Sequence, residues 1–360
     1  MVWPLVSTFG AAPCRRHARG GARLAVALGS WGIAAATAVG PVAAHGDAAP
    51  VPPATPGLLV GWSWEPLLAI PLLLAVAGWL AAVRRVNSAH PANPVPPLRT
   101  AAWLSGLAAI AVALLSGIER YDTVLFSVHM VQHLLLALVA APLLALAAPI
   151  TLLLRLARPE TRRRRILPFL HSRVMRALTF PVVAWLLFAG VMWAAHFSPL
   201  FDAALEDPLV HDVEHALFLG SGLLFWWPAV GADPGPWRMT HPVRVLYVFL
   251  QMPQNTFLAV ALLGARAPLY AHYASLERSW GPTPLEDQQT AAGIMWLAGD
   301  LLFLAAILLL VLGWMRHDER RTAHEDRRAD AARSARRERE TRLAERLAEE
   351  RAAAVEARRG

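Results

Sequence analysis

Long apolar runs alternate with short polar segments through most of this chain. Seven runs stand out, over 64–83, 101–118, 124–154, 178–196, 208–230, 243–264 and 289–315. An α-helix rises 1.5 Å per residue, so about 20 apolar residues cross the hydrocarbon layer of a bilayer. The pattern predicts an all-α fold, a polytopic membrane bundle of seven transmembrane helices. Ahead of the first run, Arg15, Arg16, Arg19 and Arg23 precede a small-residue apolar stretch from Leu24 to Gly40, which ends in Val42-Ala43-Ala44. This has the layout of a signal peptide, with an uncleaved extra helix as the alternative. The expected organisation is therefore a signal peptide or extra helix at 1–44, a flexible exported segment rich in Pro, Ala and Gly at 45–60, a membrane domain at 61–315, and a charged tail at 316–360.

Charge orients the bundle. Loop 84–100 carries Arg84, Arg85 and Arg99, loop 155–177 carries eight arginines, and loop 231–242 carries Arg238 with Arg244 just beyond. The alternate loops hold Glu119 and Asp122, then Asp202, Glu206 and Asp207, then Glu277, Glu286 and Asp287. Basic loops stay in the cytoplasm. The mature N-terminus is thus expected outside and the C-terminus inside a bacterial plasma membrane. The tail repeats Arg and Glu at helical spacing (Arg342, Glu345, Arg346, Glu349) and predicts a solvated charged helix.

Composition agrees with this reading. Hydrophobic residues make up 56% of the chain, charged residues 17%, and mean hydropathy is +0.40. A soluble enzyme, a disordered protein and a disulfide-rich secreted domain are excluded. Every basic side chain counted in the +8 net charge is arginine, and Cys14 is the only cysteine. No Cys-x-x-Cys metal or redox motif exists. The arginine habit says little about function; the partners expected include the lipid bilayer and no nucleic acid.

Ionisable residues inside membrane spans are costly and mark candidate sites. His129 and His133 lie at i and i+4 on the third run, hence on one helix face. His211 and His215 repeat that spacing on the fifth run, and His196 ends the fourth. All five converge by topology near the outer surface, together with the outer loop that holds Tyr270 and His272. Imidazole ligates copper, zinc and haem iron, so the five histidines form a candidate metal site, with a structural polar network as the alternative. Gln132 and Glu214 are adjacent candidates for fixing histidine tautomers. Met252, Met295 and Met130 carry thioethers suited to Cu(I). Asp300, near the middle of the seventh run, is a candidate relay group or an interhelix hydrogen-bond partner. The break Gln251-Met252-Pro253-Gln254-Asn255 interrupts the sixth run.

Several of these segments together resemble a known family. His129-Met130-Val131-Gln132-His133-Leu134-Leu135-Leu136 followed by Pro142 and Pro149, His211-Asp212-Val213-Glu214-His215 leading to Phe225-Trp226-Trp227-Pro228, Met252-Pro253-Gln254, and Gly293-Ile294-Met295-Trp296 are similar, in that order, to the CtaG family of caa3-type cytochrome c oxidase assembly factors. The resemblance covers roughly 60–315. It implies a seven-span protein, not an enzyme, that assists copper delivery or insertion into haem–copper oxidase subunits. It implies the oxidase as partner, and copper received from a soluble chaperone on the outer face. Rival readings stay open at this point. They are a haem-binding redox protein, a non-metal assembly scaffold, a transporter using Asp300, and a zinc hydrolase in which His211-x-x-Glu214-His215 supplies ligands and base.

Overall fold

A computed structural model of the chain describes residues 61–357. The expected export signal at 1–44 and the segment at 45–60 lie outside those residues. Among the described residues every regular element is helical. The elements that build the bundle are α1 (Pro66–Ala89), α2 (Pro97–Leu115), α3 (Gly117–Tyr121), α4 (Phe126–Leu134), α5 (Ala141–Ala147), α6 (Pro149–Leu156), α7 (Pro181–Phe197), α8 (Leu200–Glu206), α9 (Pro208–Val230), α10 (His241–Phe249), α11 (Gln251–Leu263), α12 (Ala271–Ser275) and α13 (Pro284–Ala357).

Five helices, or near-continuous helix pairs, are long and apolar enough to cross a membrane, and six if α7 and α8, bent by 69°, count as one span. The seven-span expectation exceeds this for two physical reasons. Helix α7 has only 17 residues before the chain turns. Helix α9 has 23 residues, but its first two turns carry His211, Asp212, Glu214 and His215, which lower its hydropathy. Apolar side chains still cover the outside of the bundle. Leu67, Leu73 and Leu74 on α1, Val182 and Leu186 on α7, and Leu297, Leu301, Leu308 and Leu309 on α13 are exposed, as a lipid-facing surface requires.

The third run is a single broken span, Phe126–Leu156. Pro142 has no N–H, and its ring crowds the carbonyl four residues earlier. The helix widens ahead of it into a π-helical turn, Leu135–Ala140. One carbonyl of that turn, on Ala137, accepts the indole N–H of Trp226 at 2.9 Å. Gly222 sits one turn before Trp226 on α9, and a Cβ there would lie 3.1 Å from the Ala137 oxygen and from the Ala141 Cβ. The glycine therefore sets how closely α9 approaches the π turn. A second break falls at Ala148, in the left-handed region at φ 57° ahead of Pro149, where proline disfavours the helical conformation. Helix α6 restarts under a cap from another loop. Asp233 accepts from the backbone N–H groups of Ile150 (3.0 Å) and Thr151 (2.6 Å) and from the Thr151 hydroxyl (2.7 Å).

The break expected in the sixth run lies at Leu250, between α10 and α11, and Pro253 and Gln254 sit inside the helix that follows it. Helices α4, α7, α9, α11 and α13 pack around the main core, which includes Phe126, Met130, Phe188, Phe225, Trp226, Leu258, Met295 and Phe303. Helix α13 is continuous for 74 residues, about 110 Å, so membrane domain and charged tail share one rod. Its outer part is solvated and carries exposed pairs such as Arg321–Glu325 (2.9 Å) and Arg336–Glu340 (2.8 Å).

A buried histidine–carboxylate cluster as candidate metal centre

Two helices present their polar residues to each other. On α9 the inward positions recur as His211, Glu214, His215, Phe218, Gly222, Phe225 and Trp226, a helical stripe that becomes apolar after its second turn. Asp207 starts this helix, accepting from Leu209 N at 2.8 Å and Val210 N at 3.3 Å, with Pro208 at the first helical position. On α4, Phe126, His129, Met130, Gln132 and His133 are all buried. Asp287 of α13 accepts from Phe126 N at 2.7 Å and so fixes the start of α4.

The four predicted histidines of these helices meet. Ring centroids are 4.3 Å apart for His129–His133, 4.2 Å for His211–His215, 5.3 Å for His129–His211 and 5.9 Å for His133–His215. His133 stacks on Phe218 at 3.8 Å. The Nε2 atoms of His129 and His133 are 3.0 Å apart, and the Glu214 Oε2 atom lies 3.7 Å from the first and 3.9 Å from the second. The point equidistant from these three atoms is about 2.1 Å from each, matching zinc–imidazole and zinc–carboxylate bonds of roughly 2.0–2.2 Å. Both Glu214 oxygens and His133 Nδ1 are buried without a hydrogen-bond partner. Leaving such groups unsatisfied costs about 1–3 kcal/mol each, more for a charge, and a bound cation removes that cost for the carboxylate. The donor set fits a metal ion.

Two further groups of donors adjoin this one, the second sharing His129 with it and the third sharing His211 with the second. Asp122, His129 and His211 form the second, and Glu119, His211 and His215 the third; all members are buried, and the ligand atoms within each group lie within 4.8 Å of one another. Asp122 Oδ2 is 3.6 Å from His211 Nε2. Burial, and then the neighbouring Glu119, push the Asp122 carboxyl well above the ordinary carboxylate range. Gln132 donates to the Glu119 carboxylate and, at 3.1 Å, to Ala113 O. It thus orients a carboxylate of the cluster, where the sequence suggested a histidine.

His129 has a defined tautomer. The Tyr273 hydroxyl donates to Asp122 O and lies 3.4 Å from His129 Nδ1. Its single proton is committed to the carbonyl, so Nδ1–H of His129 is the donor in that contact and the lone pair is on Nε2, facing His133 and Glu214. Burial raises the Tyr273 phenol well above its usual range, so it remains a donor. A phenol and a carbonyl that hold a ligand imidazole in this way are a familiar support for a metal site.

The remaining candidates take other places. His196 is buried at the margin, among Phe126, Phe201 and Phe218. Its Nδ1 pairs with Met192 O at 2.7 Å and its Nε2 has no hydrogen-bond partner. His272 pairs with Thr123 O at 2.8 Å and ties α12 to the turn after α3. Tyr270 donates to His196 O at 3.2 Å. Met130 and Met295 are buried in the apolar core, and Met252 packs against it. Asp300 joins α13 to α11, accepting from Asn255 Nδ2 and from the Thr256 hydroxyl, each at 3.1 Å. Sequence reasoning misses Glu119, Asp122 and Tyr273 as site residues. The first two read as loop charges, and the position of their loop against α4 and α9 is a tertiary fact without a periodic signal.

Comparison with known proteins identifies the family. The family described as cytochrome c oxidase caa3 assembly factor matches residues 77–317. Proteins of Mycobacterium bovis and Mycobacterium tuberculosis, each described as uncharacterised, are 34% identical over 292 residues, covering 78% of this chain and 43% of theirs. A Mycobacterium leprae protein, also described as uncharacterised, is 32% identical over 289 residues, covering 78% and 44%. The chain therefore spans less than half the length of these curated relatives. No solved structure matches it. The match takes in every helix that bears a cluster residue, and the chain belongs to the cytochrome c oxidase caa3 assembly factor family.

Proposed function

We propose that this protein supports assembly of a haem–copper oxidase by holding copper in the buried histidine–carboxylate cluster and passing it to the oxidase. The observation that carries this reading is the triangle of His129, His133 and Glu214, sized for one ion at about 2.1 Å from each donor. Copper is the cargo, not a resident cofactor, and no turnover is involved. Imidazole donors suit copper. The absence of a thiolate from the cluster suits a carrier that must release its ion.

The cluster lies in the first turns of the span Phe126–Leu156 and of α9, and the arginine-rich segment 155–176 begins at the far end of that span. With that segment in the cytoplasm, the cluster lies toward the outer face, the side on which a soluble chaperone delivers copper. Helix α9, at 23 residues, is long enough to cross, and with α7–α8 it completes seven crossings, the mature N-terminus outside and α13 ending inside. Close ring packing favours a bare ion over a porphyrin, since the four imidazoles stand only 4.2–5.9 Å apart along successive contacts.

The test is complementation of a deletion strain. Wild type restores oxidase activity and oxidase copper in membranes. A His129→Ala/His133→Ala variant, produced at wild-type level, yields oxidase that contains haem but lacks copper. Full restoration by that variant overturns the copper reading.

A further inference from the structure

The first and third donor groups share no residue. His129, His133 and Glu214 make one, and Glu119, His211 and His215 make the other, while the group Asp122, His129 and His211 takes one histidine from each. An ion held by the first group uses none of the donors of the other. We infer that the cluster holds two copper ions at once, one in each group, with Asp122 between them. This rests on the copper reading above and extends it from one ion to two.

The way the groups are assembled supports two stations. Each histidine pair comes from one helix, at i and i+4, and each receives its carboxylate from a different element. Glu214 of α9 reaches across to the α4 pair, whereas Glu119 of α3 serves the α9 pair and is itself held by Gln132 of α4. The two pairs stand side by side, with His129–His211 at 5.3 Å and His133–His215 at 5.9 Å between ring centroids. Adjacent metal sites in proteins lie about 3.5–4 Å apart, a spacing that neighbouring imidazole pairs accommodate.

The unpartnered acceptors point the same way. Glu119, Asp122 and Glu214 are all buried, at 4%, 0% and 1% exposure. Both Glu214 oxygens and Asp122 Oδ2 lie without a hydrogen-bond partner. An ion in the first group meets Glu214, and Asp122 Oδ2, 3.6 Å from His211 Nε2, stands beside the second.

The experiment is metal analysis of the full-length protein in detergent, equilibrated with Cu(I) against a competing Cu(I) chelator and then desalted. The inference expects two copper ions per chain. One ion per chain overturns it and leaves the carrier reading standing; no copper overturns both. His133→Ala and His215→Ala are each expected to retain one ion, with folding checked by monodispersity and thermal transition. Should either variant fail to fold, Glu119→Gln, close to isosteric, is expected to keep one tight ion and weaken the second at least tenfold. Two ions held with unchanged affinity in Glu119→Gln contradict the assignment of the second station.

Discussion

The Nε2 atoms of His129 and His133 face each other at 3.0 Å across one turn of α4. Tyr273 commits the proton of His129 to Nδ1, so at least one of the two facing nitrogens is a bare lone pair. Glu214 adds a carboxyl oxygen within 4 Å of both. Without an ion, His133 Nε2–H serves the His129 lone pair while both Glu214 oxygens and His133 Nδ1 stay unpartnered; a cation at the centre takes all three facing atoms as ligands. The i, i+4 spacing makes the pair, and the supporting shell turns the His129 lone pair inward.

Tyr273 acts on this arrangement as a positioning residue. Tyr273→Phe removes the hydroxyl that fixes the His129 tautomer while keeping the ring. Copper affinity is expected to fall about tenfold to a hundredfold, with a stability loss of about 1–3 kcal/mol from the Asp122 carbonyl left without its donor. Competition titration against a Cu(I) chelator measures it, and unaltered affinity contradicts the role.

Asp300 is a structural lock in this account. Asp300→Ala strips the Thr256 hydroxyl of its acceptor and Asn255 of one of two, Met295 O remaining. A stability loss of about 1–3 kcal/mol is expected, with copper stoichiometry unchanged. A copper-binding defect in a folded Asp300→Ala protein would return Asp300 to the list of site residues.

Gly222 controls helix approach. A valine there would press on Ala137 O and Ala141 Cβ, both 3.1 Å from its Cβ position. Gly222→Val is expected to lose about 1–3 kcal/mol of stability and also to weaken copper binding, because α9 carries His211, Glu214 and His215. Gly220 has open space where a methyl group would stand, so Gly220→Ala serves as the control, with copper binding unaffected.

Asp233 caps α6 through Ile150 and Thr151. Asp233→Ala is expected to lower stability by about 1 kcal/mol without touching the cluster at the opposite end. Thermal unfolding and copper binding, measured together, separate the two effects.

Much of this is legible in the sequence because membrane spans and i, i+4 pairs are local patterns. The runs that form α1, α2, Phe126–Leu156, His241–Leu263 and α13 are visible from hydropathy alone. His129, His133, His211, His215 and Glu214 are legible because one helix face carries each set. The partners of Asp300 are not, since Asn255 and Thr256 lie 45 and 44 residues away on another helix. Glu119, Asp122 and Tyr273 are hidden for the same reason. They reach the cluster from loops and short helices, whose placement follows from packing. The π turn after His133 is not read from the sequence either, although Pro142 is its local signal.

X-ray absorption spectroscopy of the copper-loaded, detergent-purified protein tests the central claim most directly. A nitrogen and oxygen shell at about 2.0–2.1 Å with the outer scattering of imidazole rings is expected, together with less copper per chain in His129→Ala/His133→Ala. A sulfur shell near 2.3 Å, or equal copper per chain in wild type and double variant, contradicts that claim and moves the copper away from His129 and His133.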